Sequence, residues 1–326
     1  MKRPRTLVMP AQELEEHPAV REWHRATGLD GTPESIQLFR ETVETRVYRI
    51  RGLGPGRSPV FAKQTARGAV ETERTVYERI LPCLPLPAPR YYGSLVDGAV
   101  GWVFLEDVGE ERYSRDDPEH LALAARWVAT LHTLAADLPE ARTLPDGGPA
   151  RYLEHLRSGR RKILSTLDTW HYPAAEVKVL ASLIRELDAV EQQWPWFEAS
   201  CRAAPHTVVH GDFRPKNAYL RDNGHGLSLF PIDWETGGYG PPMLDLRKID
   251  LETYGSLVRE VWPEVGSETV ERFARLGHVL GTLAAIDWES ESLASRSVPG
   301  RHFAVLMLEH YHDRLLQVGP TIGVSE

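Results

Sequence analysis

Residues 208–220 read Val208-Val209-His210-Gly211-Asp212-Phe213-Arg214-Pro215-Lys216-Asn217-Ala218-Tyr219-Leu220. A short apolar run delivers His-Gly-Asp, and an asparagine follows five residues after the aspartate. A carboxylate in such a loop can orient an acceptor hydroxyl and take its proton during attack on a γ-phosphate. A second oxygen ligand from the same loop can hold a metal on the phosphates, because Mg²⁺ favours few, hard oxygen donors. One loop supplying both groups fixes the distance from base to metal, and such positioning is a large part of the rate. About fifteen residues later a second apolar run ends in Phe230-Pro231-Ile232-Asp233-Trp234-Glu235. A strand-turn-strand hairpin would bring Asp233 back beside the first loop.

Outward from these segments the chain divides in two. Residues 36–51 are rich in β-branched and aromatic residues around a polar patch, the pattern of two strands joined by a turn. Gly54-Pro55-Gly56 separates them from a third short strand, residues 59–63. Val70, Val76, Tyr77, Ile80 and Leu81 recur at helical spacing and stop at Pro82. Residues 100–105 read as a last strand that runs into Glu106-Asp107-Val108-Gly109. Beyond Gly109 the periodicity is helical over 121–134, over a helical hairpin (151–167 and 174–193), and over closing helices at 268–293 and 303–316. Short strands are expected only at 207–210 and 227–232. The expectation is an α+β chain: a β-rich N-terminal lobe, 1–108, with an extension at 1–35, then a mainly helical lobe, 109–326.

Composition excludes several classes. With 326 residues the chain can bury two cores. It has no apolar run long enough to span a bilayer, and its first residues lack a signal-peptide core, so a cytoplasmic protein is expected, with no membrane partner. The net charge of −8 is split unevenly, +1 over residues 1–108 and −9 over the remainder. Nucleic-acid binding is disfavoured by that balance. Carboxylates concentrated in the second half, at residues 116–119 and 289–291 among others, favour a cationic acceptor such as an amine-bearing antibiotic or amino alcohol over neutral nucleosides and sugars. Cys83 and Cys201 lie far apart without metal-ligand spacing, and read as two reduced, buried thiols.

The HGDFRPKN and IDWE segments resemble the catalytic and metal-binding motifs of aminoglycoside phosphotransferases, choline kinases and related small-molecule kinases. That resemblance implies a protein-kinase-like bilobal fold and transfer of a γ-phosphate from ATP, or GTP, to a small-molecule hydroxyl. Carried over residue by residue, it makes Asp212 the catalytic base and Asn217 and Asp233 the Mg²⁺ ligands. Gly211 stands where eukaryotic protein kinases have arginine, which argues against a protein substrate. Lys63 then corresponds to the phosphate-positioning lysine and Glu73 to its ion-pair partner, with Glu71 as runner-up on a different helical face. Glu106 and Val108 correspond to a hinge whose backbone faces adenine. Asp245 sits where the family anchors the catalytic-loop backbone, and His210 reads as a brace of that loop.

One segment departs from the family pattern. Arg40-Glu41-Thr42-Val43-Glu44-Thr45-Arg46, the expected phosphate-covering turn, contains no glycine, although close backbone approach to phosphate is easier with glycine. Thr42, Thr45 and Arg46 are the remaining candidates there. The departure is also what would fit a catalytically inactive nucleotide-binding module, yet Lys63, Asp212, Asn217 and Asp233 are all present. A two-metal phosphoesterase would need Asp-x-His and Gly-Asn-His segments that are absent. Ile286-Asp287-Trp288-Glu289 repeats the letters of the second motif, but inside a helical pattern, so Asp287 and Glu289 read as helix-surface or helix-end residues. Trp194 and Trp196 are candidates for core packing or for substrate stacking.

Overall fold

The structure, a computed structural model, describes residues 5–7, 11–42, 44–224 and 226–318. Six strands form one antiparallel sheet: β1 (Arg5–Leu7), β2 (Ser35–Glu41), β3 (Arg46–Arg51), β4 (Val60–Ala66), β5 (Tyr91–Asp97) and β6 (Val100–Glu106), in the order β1-β2-β3-β4-β6-β5. Alternation along β4 gives the sheet its two faces. Val60 and Ala62 pack with Trp23, Ile36, Ile50, Trp102 and Phe104 behind the sheet, while Phe61 and Lys63 face a cleft in front. The rear core is closed by α1 (Ala11–Glu15) and α2 (Pro18–Thr27), whose Trp23 is fully buried edge-on to Phe104. Truncating a buried tryptophan of this kind costs about 3–5 kcal/mol.

The front face receives α3 (Arg67–Thr75), which continues through a wide turn at Val76–Ile80 and ends in a tight turn, Leu81–Cys83, that contains Pro82. Val70, Glu73 and Tyr77 share its buried side, the spacing expected of one helical face. After the sheet come α4 (Pro118–Ala135), α5 (Pro149–Thr169), α6 (Ala174–Gln192) and α7 (Trp194–Arg202). Four short strands follow: β7 (Thr207–Val209), β8 (Ala218–Asp222), β9 (Leu227–Pro231) and β10 (Gly238–Gly240). The chain closes with α8 (Leu251–Val258), α9 (Ser267–Ser290) and α10 (Val298–Val318). The larger core, including Trp127, Leu131, Phe213, Trp234, Leu244 and Leu283, lies among these helices and under β7 to β9.

Some elements were not legible in advance. The helical face of Ala19, Val20 and Trp23 in α2 was passed over, and β5 follows a proline-rich segment and has no fully buried residue. Cys83 is exposed rather than buried, with Cys201 alone inside; both are free thiols. Trp194 packs in the core, Trp196 is at the surface of α7, and neither lines a described cavity. No described helix is long and apolar enough to cross a membrane.

Candidate active site

Strand register brings the two sequence motifs together. In the β8–β9 hairpin Ala218 lies opposite Pro231, and the Ile232 N–H donates to Asn217 O at 2.8 Å. Asn217 and Asp233 are thereby neighbours across the hairpin mouth. β10 pairs with β7, Gly238 opposite Val209, so the turn at residues 234–236 folds over His210. Thr236 Oγ1 donates to His210 O at 2.9 Å. His210 Nε2 meets Ile232 O at 2.9 Å, and since a carbonyl only accepts, the ring proton sits on Nε2. His210 is thus a brace between the two motifs.

The loop backbone is pinned from below. Asp245 is fully buried and accepts the His210 N–H on Oδ2 at 2.7 Å and the Gly211 N–H on Oδ1 at 3.0 Å. Burial opposes its ionisation, but His132, whose Nε2 is 3.3 Å away, and His210 outweigh that and hold it below the usual carboxylate range. Gly211 has φ +78°, and a Cβ there would lie 2.5 Å from Thr236 O. Only glycine accepts both the conformation and the contact.

Asp212 is positioned by its own loop. Asn217 Nδ2 donates to its backbone O at 3.1 Å and to Oδ2 at 3.0 Å. Arg214 Nε stands 2.6 Å from Oδ1, and Lys216 Nζ 3.3 Å from Oδ2. The Asn217 amide nitrogen is used on Asp212, which leaves its Oδ1 for a cation. Asp233 takes left-handed backbone angles, φ 70° and ψ 56°, which aspartate tolerates better than most residues and which cluster at functional sites.

Lys63 joins the sheet to this hairpin. Its Nζ is 2.6 Å from Glu73 Oε1 and 2.9 Å from Glu235 Oε2, and it also contacts Asp233 Oδ1. Burial works against the charge on Lys63, but Asp233, Glu73 and Glu235 outweigh it and hold its pKa well above the ordinary value. Three carboxylates share that one ammonium. Burial, only partly offset by Lys63, pushes Glu73 up to about 7, and its Oε2 is buried without a partner. Asp233, despite burial, is held far below its usual value by Lys63 and then by Arg40 and Lys216. Glu71 lies outside, against Arg67 at 3.5 Å.

A cleft of about 260 Å³ lies between the sheet and the hairpin. Among its lining residues are Lys63, Glu73, Glu106, Val108, Asn217 and Asp233. Asp212 instead lines a smaller cavity of about 100 Å³ on the side of α9 and α10. The aspartate lines the smaller cavity while Asn217, bonded to it, lines the larger, so it stands beside both.

A profile of the phosphotransferase enzyme family (APH) matches residues 35–288. The chain belongs to this family. Membership makes it a phosphotransferase of the small-molecule kinase type. Solved structures share the fold. A microcompartment-associated aminopropanol kinase has 17% identity and a TM-score of 0.63 over 89% of this chain and 94% of its own. A spectinomycin phosphotransferase, solved with ADP and spectinomycin, has 12% identity and a TM-score of 0.60 over 97% and 99%. The Plasmodium vivax ethanolamine kinase has 15% identity and a TM-score of 0.54 over 87% and 81%. At such identities the likeness speaks for the fold alone. None of the curated proteins matches the sequence.

Against the family pattern, the glycine-free turn is not brought into the cleft. Thr42 and Thr45 bond one another, Thr42 N–H to Thr45 O at 2.8 Å and Thr45 N–H to Thr42 Oγ1 at 3.0 Å. Thr45 Oγ1 also meets Thr65 Oγ1 at 3.2 Å, and Arg46 pairs with Glu41 at 3.1 Å. Their polar atoms bond within the turn and to Thr65 and Glu41; Val43 lies outside the described residues. Arg40 reaches in instead, its guanidinium 3.5 Å from Asp233 Oδ2. Arg40, Lys216 and Glu235 were the residues sequence reading passed over. All three lay within quoted segments, Lys216 and Glu235 in the two motifs and Arg40 at the start of the expected turn, but nothing in a strand sequence shows that Arg40 would turn inward.

None of the carboxylates behind an amine-bearing acceptor lines the cavity beside Asp212, although Asp116 and Glu289 act electrostatically on its Lys248 and Tyr311. Asp116 and Glu119 are exposed, Asp117 caps α4, and Glu291 pairs with Lys162 at 2.9 Å. The second IDWE lies in the last turn of α9, the helix end expected of it, with Trp288 exposed, but Asp287 itself is not on the surface. Asp287 is buried and ties α5 to α9 through His155 at 2.7 Å and Lys162 at 2.8 Å. Trp288 lines the smaller cavity.

Proposed function

We propose that this family member moves the γ-phosphate of ATP, or alternatively GTP, directly to a hydroxyl of a small molecule, with Asp212 as the base. The observation that carries the proposal is the position of Asp212: it is fixed by Asn217, which lines the cleft, while its own carboxylate lines the neighbouring cavity. In this reading residues 1–108 are the nucleotide-binding lobe, with 1–35 as its extension, and 109–326 hold the catalytic loop and the acceptor.

Nucleotide binds in the larger cleft. Its base rests between Val47, Phe61, Leu105 and Ile232, beside the backbone of Glu106 and Val108. Lys63 neutralises phosphate charge, and Arg40 adds the contact that Thr42, Thr45 and Arg46 were expected to make. The residues present suit Mg²⁺: Asp233 and the free Oδ1 of Asn217 are hard oxygen donors, and carboxylate oxygens of Glu73, Asp233 and Glu235 lie within 4.8 Å of one another. Bound there, Mg²⁺ would neutralise charge on the phosphates. Asp212 accepts the acceptor's proton as its oxygen attacks in line. Arg214 and Lys216 hold the carboxylate in place until the acceptor arrives.

The test is a nucleotide-consumption screen against a library of small hydroxyl compounds, with Asp212→Asn as control. The variant should lose about 10²–10⁴ in kcat while nucleotide affinity changes little. Near-full turnover in the variant would remove Asp212 from this role.

A further inference from the structure

The cavity on the far side of Asp212 has an unusual charge. Arg214, Arg247, Lys248 and Arg314 line it, with Asp212 as the one carboxylate among its described lining residues. That carboxylate is already shared by Arg214 and Lys216. Among the described residues, no carboxylate pairs with Arg247, Lys248 or Arg314.

Arg247 is the best-defined of the three. Its Nε is buried without a hydrogen-bond partner. Its guanidinium occupies the space over Gly281, where a Cβ would lie 2.1 Å from Nη1. A glycine inside a helix costs about 1 kcal/mol relative to alanine, so α9 gives up stability at the point where the guanidinium is seated. Burial and neighbouring cations hold Arg247, Lys248 and Arg314 below their ordinary pKa values. The same field is felt by His278, pushed down to about 4 by burial and then by Arg247, Arg314 and Lys248. Arg247 and Lys248 feel opposing charge from Asp212 and Asp116, but burial and the other cations outweigh it, and partly buried cations so poorly compensated are costly. An anion entering the cavity would relieve that cost, and guanidinium groups suit the planar oxygens of carboxylate or the oxygens of phosphate.

We infer that the acceptor is itself an anion: a hydroxyl compound whose carboxylate or phosphate group docks on Arg247, Lys248 and Arg314, with its carbon frame against Trp288 and Tyr311. This rests on the kinase reading above and names its substrate class. The acceptor hydroxyl lies at Asp212 and gives its proton to that carboxylate. Its oxygen forms the new bond to the γ-phosphorus, and the bond from that phosphorus to the β-γ bridging oxygen breaks, leaving the electron pair on the nucleoside diphosphate.

The experiment uses matched acceptors on the full-length protein. Glucuronate, glucose 6-phosphate, glucose and glucosamine form one set, and glycerate, glycerol and 3-aminopropane-1,2-diol a second, each read by nucleotide consumption and product mass. A parallel titration measures binding of the same compounds by calorimetry in Asp212→Asn saturated with a non-hydrolysable nucleotide and Mg²⁺, so that anions cannot report on the nucleotide cleft. The anionic members should bind or react best, with phosphate or carboxylate preference separating the two sources of charge. Arg247→Gln and the rim variant Arg314→Gln should each weaken the anions by about 10–100-fold and leave neutral members within about twofold, while Arg247→Lys should restore part of the loss. Anion binding in the titration without turnover of any compound would leave the anionic cavity standing and count against the kinase reading. Turnover of glucose, glycerol or an amine that is indifferent to Arg247→Gln and Arg314→Gln would overturn the inference and leave the kinase reading intact. Absence of any charge-dependent binding in the titration would overturn it equally.

Discussion

Lys63 Nζ sits 2.6 Å from Glu73 Oε1, a strand residue and a helix residue joined in a site where Glu73 has no exposure at all. The pair links the sheet to α3 at the back of the cleft. Removing one partner of a buried pair leaves the other charge uncompensated, at a cost of about 3–5 kcal/mol. Lys63→Ala should therefore impair turnover strongly, because Glu73 and Glu235 would lose their shared cation and Asp233 would keep Arg40 beside it. Glu73→Ala should impair it less, since Lys63 keeps Asp233 and Glu235. The double variant should fall short of the sum. Full additivity in kcat/KM would mean the two side chains do not act as a unit.

Proton uptake at Glu73 gives a pH signature. Its carboxyl is raised from 4.5 to about 7, so between those values the folded protein binds a proton that the unfolded chain has released. Stability should then fall as pH rises through this window. His278, lowered from 6.5 to about 4, acts oppositely, adding stability as pH rises towards 6.5, and is complete above it. The difference in melting temperature between the nucleotide-free protein and Glu73→Gln from pH 6.5 to 8 therefore isolates Glu73: the parent should lose stability relative to the variant across it. An equally steep slope in the variant would assign the effect elsewhere.

The twin tetrapeptides predict opposite phenotypes. Asp233→Ala should abolish Mg²⁺-dependent turnover, because Asp233 meets Lys63 and Arg40 at the cleft. Asp287→Ala should cost about 1–3 kcal/mol of stability, since His155 and Lys162 lose their buried acceptor, yet leave kcat of the folded protein within a few-fold. Thermal melts and steady-state kinetics on both variants distinguish the two roles. A catalytic defect confined to Asp287→Ala would reverse the assignment.

Asp245 offers a test of positioning without contact. Asp245→Asn keeps one oxygen for the two N–H groups of His210 and Gly211 and turns an amide nitrogen towards the other. The catalytic loop should loosen, lowering kcat by about 10–100-fold with nucleotide Kd little changed, and amide exchange at 210 and 211 should quicken. Slower turnover with unchanged exchange would point to an electrostatic role instead.

Much of this was written locally. HGD, the asparagine five residues on and the IDWE strand end are short-range patterns, and the hairpin register that joins Asn217 to Asp233 follows from two adjacent apolar runs. Strand alternation likewise sends Lys63 to the cleft face, and helical spacing selects Glu73 over Glu71. The tertiary structure alone decided where charge gathers. Arg40 turning to Asp233, the turn of Thr42 and Thr45 closing on itself, and Arg214, Arg247 and Arg314 converging beside Asp212 come from segments as much as about 190 residues apart. A net charge counted along a sequence weights every carboxylate equally, although those at the surface are screened by salt beyond about 8 Å. Three-dimensional packing instead selects a few groups, removes them from water and sets them facing one another. That is why the sequence could mark the reacting residues, whereas only the fold could say which sign of acceptor they await.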